Sequence, residues 1–206
     1  MKTVFINPER CIGCKHCEIA CAVEHSESKD LYQAVFEDPL PRARVHVEPG
    51  LHLNTSFPNK CRHCDPAPCM QVCPTAAISH SDDLSEIVLI DGNKCILCGM
   101  CGMVCPFDVI TYARTWTVRL RKDIAVKCDH CIDRQRRGDV PACVEACKVG
   151  ALEFGDINEL VKAARTRLSE VVSVAVGEIR PEIVRLPAHF EAWRSWGEIV
   201  NEVNKR

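Results

Sequence analysis

Sixteen cysteines stand in four runs of four with none left over, and this arithmetic constrains the chain more than any other feature. The first run is Cys11-x2-Cys14-x2-Cys17-x3-Cys21, and the second is Cys61-x2-Cys64-x4-Cys69-x3-Cys73-Pro74. The third is Cys95-x2-Cys98-x2-Cys101-x3-Cys105-Pro106, and the fourth is Cys128-x2-Cys131-x11-Cys143-x3-Cys147. So many thiols in 206 residues imply disulfides, zinc or iron–sulfur clusters.

A disulfide scaffold needs an oxidising compartment. The opening Met1-Lys2-Thr3-Val4-Phe5-Ile6-Asn7-Pro8 has too short an apolar run for a secretory signal and reads instead as a first strand. A twin-arginine signal is not seen either, and no apolar stretch is long enough to span a bilayer. The expectation is a cytoplasmic protein with reduced thiols, or one held at the inner face of the membrane through a partner.

Spacing separates the two metal readings. Three thiolates within seven residues, as in the first and third runs, suit three corners of a cubane, and the x3 step starts a helix that carries a fourth thiolate to a second cluster. Zinc asks for four sulfurs converging on one ion, usually as two C-x2-C pairs. The second and fourth runs alone would serve zinc, so a zinc-bound scaffold without redox function is the competing reading. Four [4Fe–4S] clusters account for all sixteen cysteines.

Each run then lends one cysteine and borrows one. Pairing the second run with the third gives clusters on Cys61, Cys64, Cys69 and Cys105, and on Cys73, Cys95, Cys98 and Cys101. The outer runs then give clusters on Cys11, Cys14, Cys17 and Cys147, and on Cys21, Cys128, Cys131 and Cys143. The second and third runs are close in sequence, but spacing alone does not exclude pairing first with second and third with fourth.

The formal charge of −2 gives no reason to expect a nucleic-acid partner. Four clusters of about −2 each would bring the loaded protein to about −10. Aromatic residues make up only 5% of the chain, so clusters are expected to fill space that large side chains usually occupy.

The run Cys61-Arg-His-Cys64-Asp-Pro-Ala-Pro-Cys69-Met-Gln-Val-Cys73-Pro-Thr-Ala-Ala resembles the second motif of the four-cluster ferredoxin-like subunits of molybdopterin oxidoreductases and hydrogenases. Lys127-Cys128-Asp-His-Cys131-Ile-Asp-Arg134, with Pro141-Ala-Cys143-Val-Glu-Ala-Cys147, resembles that family's fourth motif. The resemblance spans about residues 1–155. It implies the nested pairing of runs, a one-electron relay beside a catalytic subunit, and a chain that is not an enzyme by itself. Within the family, Arg10-Cys11-Ile-Gly-Cys14-Lys-His-Cys17-Glu-Ile-Ala-Cys21-Ala-Val-Glu-His-Ser is most similar to the electron-transfer proteins of anaerobic carbon monoxide dehydrogenase, the CooF group. That similarity implies carbon monoxide dehydrogenase as electron donor and a hydrogenase or other reductase as acceptor. A formate dehydrogenase, hydrogenase or molybdopterin reductase complex is the alternative setting. Proline follows only Cys73 and Cys105, whereas Ala22 and Lys148 stand where the family commonly has proline. This leaves an N–H near sulfur, and such bonds tune potential.

The expected fold is α+β: two pseudo-symmetric bacterial-ferredoxin-like modules of two clusters each, one inserted in the other, with a C-terminal helical extension. The four-cluster domain covers residues 1–155, its inner module about 56–112 and its outer module about 1–55 with 113–155. Thr3–Ile6 and Arg44–Val47 read as strands, Val109–Tyr112 with Trp116–Leu120 as a hairpin, and Ile87–Ile90 as a strand before the Asp91-Gly92 turn. Short helices are expected after Cys17, Cys69, Cys101 and Cys143. In the extension 156–206, Asp156-Ile-Asn-Glu159 reads as a capping box before Leu160, Val161, Ala164, Leu168 and Val171 at helical spacing. Pro187 would open a second helix bearing Phe190, Trp193, Trp196 and Val200, which packs on the body or docks a partner.

Gly99 and Gly102 lie where backbone must approach a cubane. Residues 114–137 hold eight lysines and arginines against three aspartates, ordinarily a solvated face. Of these, Lys127 and Arg134 are candidates to place positive charge beside a cluster of the outer pair and ease its reduction. His16, His63 and His130 each precede a cluster cysteine but are surplus to sixteen thiolates, which leaves them to solvent or a supporting role. No nucleophile elbow, glycine-rich phosphate loop of G-x-G-x-x-G form or special carboxylate pair is seen.

Overall fold

The structure is a computed structural model and describes residues 2–50, 55–84, 86–116 and 121–175. The chain divides into two compact units, Met1–Gly155 and Asp156–Arg206. The first unit is built from short pieces. Among the described residues every sheet has two strands, and isolated pairs of this kind are marginal in water.

Strand β1 (Lys2–Ile6) pairs with β8 (Leu152–Asp156), closing the ends of the unit on each other. The join is extended by Asn7 N, which donates to Ala151 O at 2.8 Å. Strands β2 (Val45–Pro49) and β3 (Ser56–Lys60) are antiparallel, with Val45 opposite Lys60 and Val47 opposite Pro58. Strands β4 (Ile78–His80) and β5 (Val88–Ile90) form a second antiparallel pair. The hairpin of β6 (Thr111–Trp116) and β7 (Arg121–Val126) pairs Thr111 with Val126 and Trp116 with Arg121.

This hairpin differs from the sequence reading. Trp116 ends the first strand instead of opening the second, and residues 117–120 lie outside the described residues. Val109 precedes the hairpin because it is 1% exposed and packs between Cys61 and Cys128. Burial against the cysteines prevails there over local β-alternation.

The helices also differ slightly from expectation, in one informative way. They contain the cysteines instead of following them. In α1 (His16–Glu24), α3 (Pro68–Gln71), α4 (Met100–Met103) and α6 (Ala142–Glu145), the second residue is Cys17, Cys69, Cys101 or Cys143. Helical side chains lean toward the helix N-terminus. A thiol in the first turn therefore aims back at the loop that carries its companions. Two further α-helices among the described residues are α2 (Leu31–Ala34) and α5 (Ile132–Arg136), and a 3-10 turn covers Pro8–Arg10. Asp30 caps α2, its carboxylate accepting from Tyr32 N and Gln33 N at 3.0 Å each.

Two larger buried clusters, with a small one of Cys61, Val109 and Cys128, replace the usual single core. Val4, Val45, Val47 and Leu152 pack with Cys17, Cys21 and Cys143. Ala67, Ile78, Val88, Ile110 and Ala125 pack with Cys101, and with the partly buried Cys69, Cys73, Cys95 and Cys105. Neither buried core holds an aromatic residue. The packing crosses the segment limits read from sequence: β3 pairs with β2, while Ala125 N donates to Cys95 Sγ at 3.5 Å.

The second unit opens with α7 (Ile157–Ala175), whose start is capped by Asp156 accepting from Asn158 N at 2.9 Å. Leu168 and Val172 on this helix are exposed. The helix expected from Pro187, with its tryptophans, lies outside the described residues.

Candidate metal centres

All four runs use one backbone device. The residue before the second cysteine has positive φ in each: Gly13 at 68°, His63 at 49°, Leu97 at 58° and His130 at 60°. Left-handed backbone is costly for a residue as bulky as leucine and persists only where its surroundings demand it. The turn folds the chain back so that N–H groups face sulfur. His63 N donates to Cys61 Sγ and His130 N to Cys128 Sγ, each at 3.4 Å. More distant segments contribute too: Arg44 N reaches Cys21 Sγ at 3.2 Å and Ala77 N reaches Cys73 Sγ at 3.3 Å.

The folded chain gathers the sulfurs in fours. Cys11, Cys14, Cys17 and Cys147 line one hollow, with Val47, Pro58 and Leu152 as its apolar wall. Cys61, Cys64, Cys69 and Cys105 line a second. Cys73, Cys95, Cys98 and Cys101 line a third. Cys21, Cys128, Cys131 and Cys143 are all buried, and they lie near enough to push one another's pKa upward. Exposure differs between quartets, for Cys14 and Cys98 are the exposed thiols.

The donor chemistry fits a cationic sulfur-bound group. No cysteine is in a disulfide. Burial, with the neighbouring Cys147, pushes the Cys17 thiol up to about 11, and burial pushes Cys131 up to about 12. Burial and the adjacent Cys128 also push Cys21 and Cys143 upward. Four thiolates in a dry pocket repel one another until positive charge is supplied. Iron in a cubane supplies it, and binding then contributes to folding. Two buried ring nitrogens point the same way. His63 Nδ1 accepts from Val88 N at 3.0 Å and His130 Nε2 from Val4 N at 3.2 Å. Each ring therefore keeps an N–H, on His63 Nε2 and His130 Nδ1, and both are buried without a protein partner. His63 borders the Cys61 cavity, where a sulfur-rich group would accept such a donor.

The supporting residues are placed unevenly. His16 is exposed, but His63 and His130 are 4% and 2% exposed and stack on each other, so solvent is not their environment. Lys127 is 4% exposed and lines the cavity of Cys61, Cys64, Cys69 and Cys105. It therefore faces an inner-run quartet and not, as its position in the fourth run suggested, the outer pair alone. Arg134 has a different task from the one expected. Its guanidinium bridges Glu24 at 3.2 Å and Glu145, tying α5 to α1 and α6, and two carboxylates already balance its charge. Gly99 has φ of 80° at the start of α4. At Gly102 a Cβ would meet the Tyr112 hydroxyl at 2.5 Å, so the close neighbour is a side chain. That hydroxyl accepts from Gly102 N at 3.2 Å, donates to Gly99 O at 3.0 Å and lies 3.8 Å from Cys101 Sγ.

Lys60 escaped the sequence reading. It is 1% exposed and immediately precedes Cys61. The signal was present as a repeated Lys-Cys-x-His-Cys in the second and fourth runs. Asp129 was also missed: although burial opposes its charge, His25 at 3.0 Å and Arg44 at 2.5 Å hold its carboxyl well below the usual range.

Four sulfur quartets on short helices and two-stranded sheets define an iron–sulfur protein of ferredoxin-like α+β fold. Residues 53–157 match the family model described as a 4Fe-4S dicluster domain, and the chain belongs to that family. It is 38% identical over 164 residues to the "Iron-sulfur protein" of Rhodospirillum rubrum, covering 75% of this chain and 82% of the relative. A subunit of the tetrathionate reductase of Salmonella typhimurium is 33% identical over 180 residues, covering 87% and 67%. The "Electron transport protein HydN" of Escherichia coli is 35% identical over 166 residues, covering 76% and 89%. The chain is an iron–sulfur electron-transfer protein whose sixteen cysteines bind four [4Fe–4S] clusters.

Proposed function

We propose that the ligand sets are Cys11, Cys14, Cys17 and Cys147; Cys21, Cys128, Cys131 and Cys143; Cys61, Cys64, Cys69 and Cys105; and Cys73, Cys95, Cys98 and Cys101. In the same reading the two outer runs and the two inner runs form the two nested ferredoxin-like modules, and residues 156–206 a separate extension. When bound, each [4Fe–4S] group supplies a one-electron couple. The chain's own residues hold the sulfurs, keep water from the quartet of Cys21, Cys128, Cys131 and Cys143 and set the surrounding charge.

The order of the quartets carries the reading. Helix α1 bears Cys17 of the first set and Cys21 of the second. Cys128 of the second set and Cys61 of the third share one buried cluster. Helix α4 bears Cys101 of the fourth set and leads to Cys105 of the third. The four sets thus form a line. Its end sets contain the exposed Cys14 and Cys98. Around the latter, Ile96 and Met103 are 62% and 73% exposed, apolar surface beside a terminal quartet. A line with two accessible ends suits a non-catalytic relay between two redox partners.

The best-supported setting is a reductase or hydrogenase complex in which this chain is the cluster-bearing subunit, given the relatives' names. A second reading takes electrons from carbon monoxide dehydrogenase and delivers them to a hydrogenase or another reductase. The opening motif Arg10–Ser26 favours it. In either case the chain works in the cytoplasm and meets a membrane only through a partner. No helix among the described residues is long and apolar enough to cross one.

Anaerobic mixing tests the choice. The oxidised protein is combined separately with carbon monoxide dehydrogenase and CO, formate dehydrogenase and formate, and hydrogenase and hydrogen. Bleaching of the visible absorption at catalytic enzyme concentration is then followed. Bleaching by formate or hydrogen without CO supports the first reading, and fast bleaching by CO alone supports the second. No bleaching in any mixture, in protein that dithionite reduces, would contradict the second reading and the hydrogenase form of the first, and leave a reductase complex.

A further inference from the structure

The second and fourth runs open alike, as Lys60-Cys61-Arg62-His63-Cys64 and Lys127-Cys128-Asp129-His130-Cys131. Each lysine bends back on its own run. Lys60 Nζ donates to Cys61 O at 3.0 Å and Lys127 Nζ to Cys128 O at 3.1 Å. Lys127 Nζ also donates to Val88 O of β5, across the boundary between the two cores. Both side chains are buried, and among the described residues neither ammonium has a carboxylate partner. Burying a full charge against carbonyl dipoles alone is unfavourable, and buried charges are ordinarily paired. Cysteine sulfur is the anionic group left to balance them, and Lys127 lines the cavity of Cys61, Cys64, Cys69 and Cys105.

The pairing is crossed. Lys127 belongs to the run that begins with Cys128, yet it lines the cavity of the Cys61 quartet, and its charge favours the thiolate of Cys69. Lys60 belongs to the run that begins with Cys61, yet it stands opposite Val45 in the β2–β3 pair, and Val45 packs with Cys21 and Cys143 of the other quartet. Its charge also favours the thiolates of Cys128 and Cys143. Between the runs lie the stacked rings of His63 and His130. Cys61 and Cys128 share a buried cluster with Val109, so the two middle quartets abut at this seam.

We propose that Lys60 and Lys127 are crossed internal counter-cations, each delivered by one module to stabilise the reduced form of the central cluster in the other. An electron added to either middle quartet meets a fixed ammonium from across the seam. Matched charges on the two sides keep the step between the modules from being steeply uphill in either direction. This rests on the ligand sets proposed above. Iron and acid-labile sulfide content of the unaltered chain, matching four cubanes, tests those sets separately from the lysines.

The experiment is an anaerobic redox titration of the full chain followed by electron paramagnetic resonance, comparing Lys60→Met, Lys127→Met and the double variant. A Cys64→Ser background marks the Cys61-quartet cluster by its altered spectrum. Lys127→Met should lower the equilibrium constant for reducing the marked cluster about tenfold, 59 mV for a one-electron couple. Lys60→Met should shift the unmarked central cluster by a similar factor, the double variant should shift both, and the terminal clusters should keep their potentials. Unchanged potentials, or each lysine acting on the quartet of its own run, would overturn the proposal. Should the methionine chains fail to assemble clusters, Lys60→Arg and Lys127→Arg decide the matter. Assembly retained with arginine supports a requirement for charge. Loss in arginine and methionine variants alike would reduce the lysines to packing and overturn it.

Discussion

The imidazoles of His63 and His130 stack with centroids 4.8 Å apart and planes inclined by 25°, joining two cysteine runs that lie far apart in the chain. Each ring accepts a backbone N–H from a strand of its surroundings, Val88 in β5 or Val4 in β1. The stack therefore fixes the inner and outer cores against each other at the place where Cys61 and Cys128 meet. A ferredoxin-like module that stood alone would need no such contact.

His63→Ala removes the ring, opens a hole beside the Cys61 quartet and strands the Val88 N–H. Large-to-small changes in a core and an unpaired buried donor suggest a loss of about 2–4 kcal/mol. The expected readout is cluster bleaching at clearly lower denaturant concentration, with iron content under native conditions retained.

Glu24 reports the acid limit of the first unit. Although burial opposes its charge, hydrogen bonds from Lys29 and Arg134 hold its carboxyl below the ordinary value. A carboxyl lowered in the folded state stabilises fully above its unfolded pKa of about 4.3, and that contribution is lost as pH falls further. Glu24→Gln should cost about 1 kcal/mol at neutral pH and flatten the stability profile below about pH 4. Parallel denaturation curves at pH 7, pH 4 and about pH 3 would check both.

Gly13 and Gly138 separate backbone strain from crowding. Both have positive φ, 68° and 87°, but a Cβ at Gly13 would meet Ser56 Oγ at 2.7 Å, whereas one at Gly138 meets nothing within 4 Å. Gly138→Ala should cost about 1 kcal/mol from conformation alone. Gly13→Ala should cost more and speed iron loss from the Cys11 quartet. Equal losses in a chelator time course would show that Ser56 moves aside freely.

Exposure orders the quartets by vulnerability. Cys14 and Cys98 are open to solvent, while Cys21, Cys128, Cys131 and Cys143 are all buried. A chelator under mild oxidation should remove the spectra of the two terminal clusters first. Loss of a central signal ahead of both would speak against the line of quartets.

Much of this was legible in the cysteine arithmetic. The four runs, the short helices at Cys17, Cys69, Cys101 and Cys143, and the strands near Thr3 and Arg44 follow from spacing and β-branched residues. Which four sulfurs come together was not fixed by spacing, since the x3 step says only that a thiolate departs and not where it arrives. The hairpin register was misread because Val109 and Ile110 look like strand residues, yet the cysteines bury them. Lys60 and the burial of His63 and His130 were hidden for another reason. They depend on two distant runs meeting, which no local pattern encodes, although the repeated Lys-Cys-x-His-Cys announces it once the structure is known.

The central claim is a line of four one-electron centres on these sixteen thiolates. A reductive titration of the anaerobically purified chain, followed by electron paramagnetic resonance with iron and sulfide analysis, tests it most directly. The account predicts four one-electron couples, spectra broadened by coupling between neighbouring centres, and metal content matching four cubanes. Fewer than four couples, or a colourless protein whose metal is zinc, would contradict it.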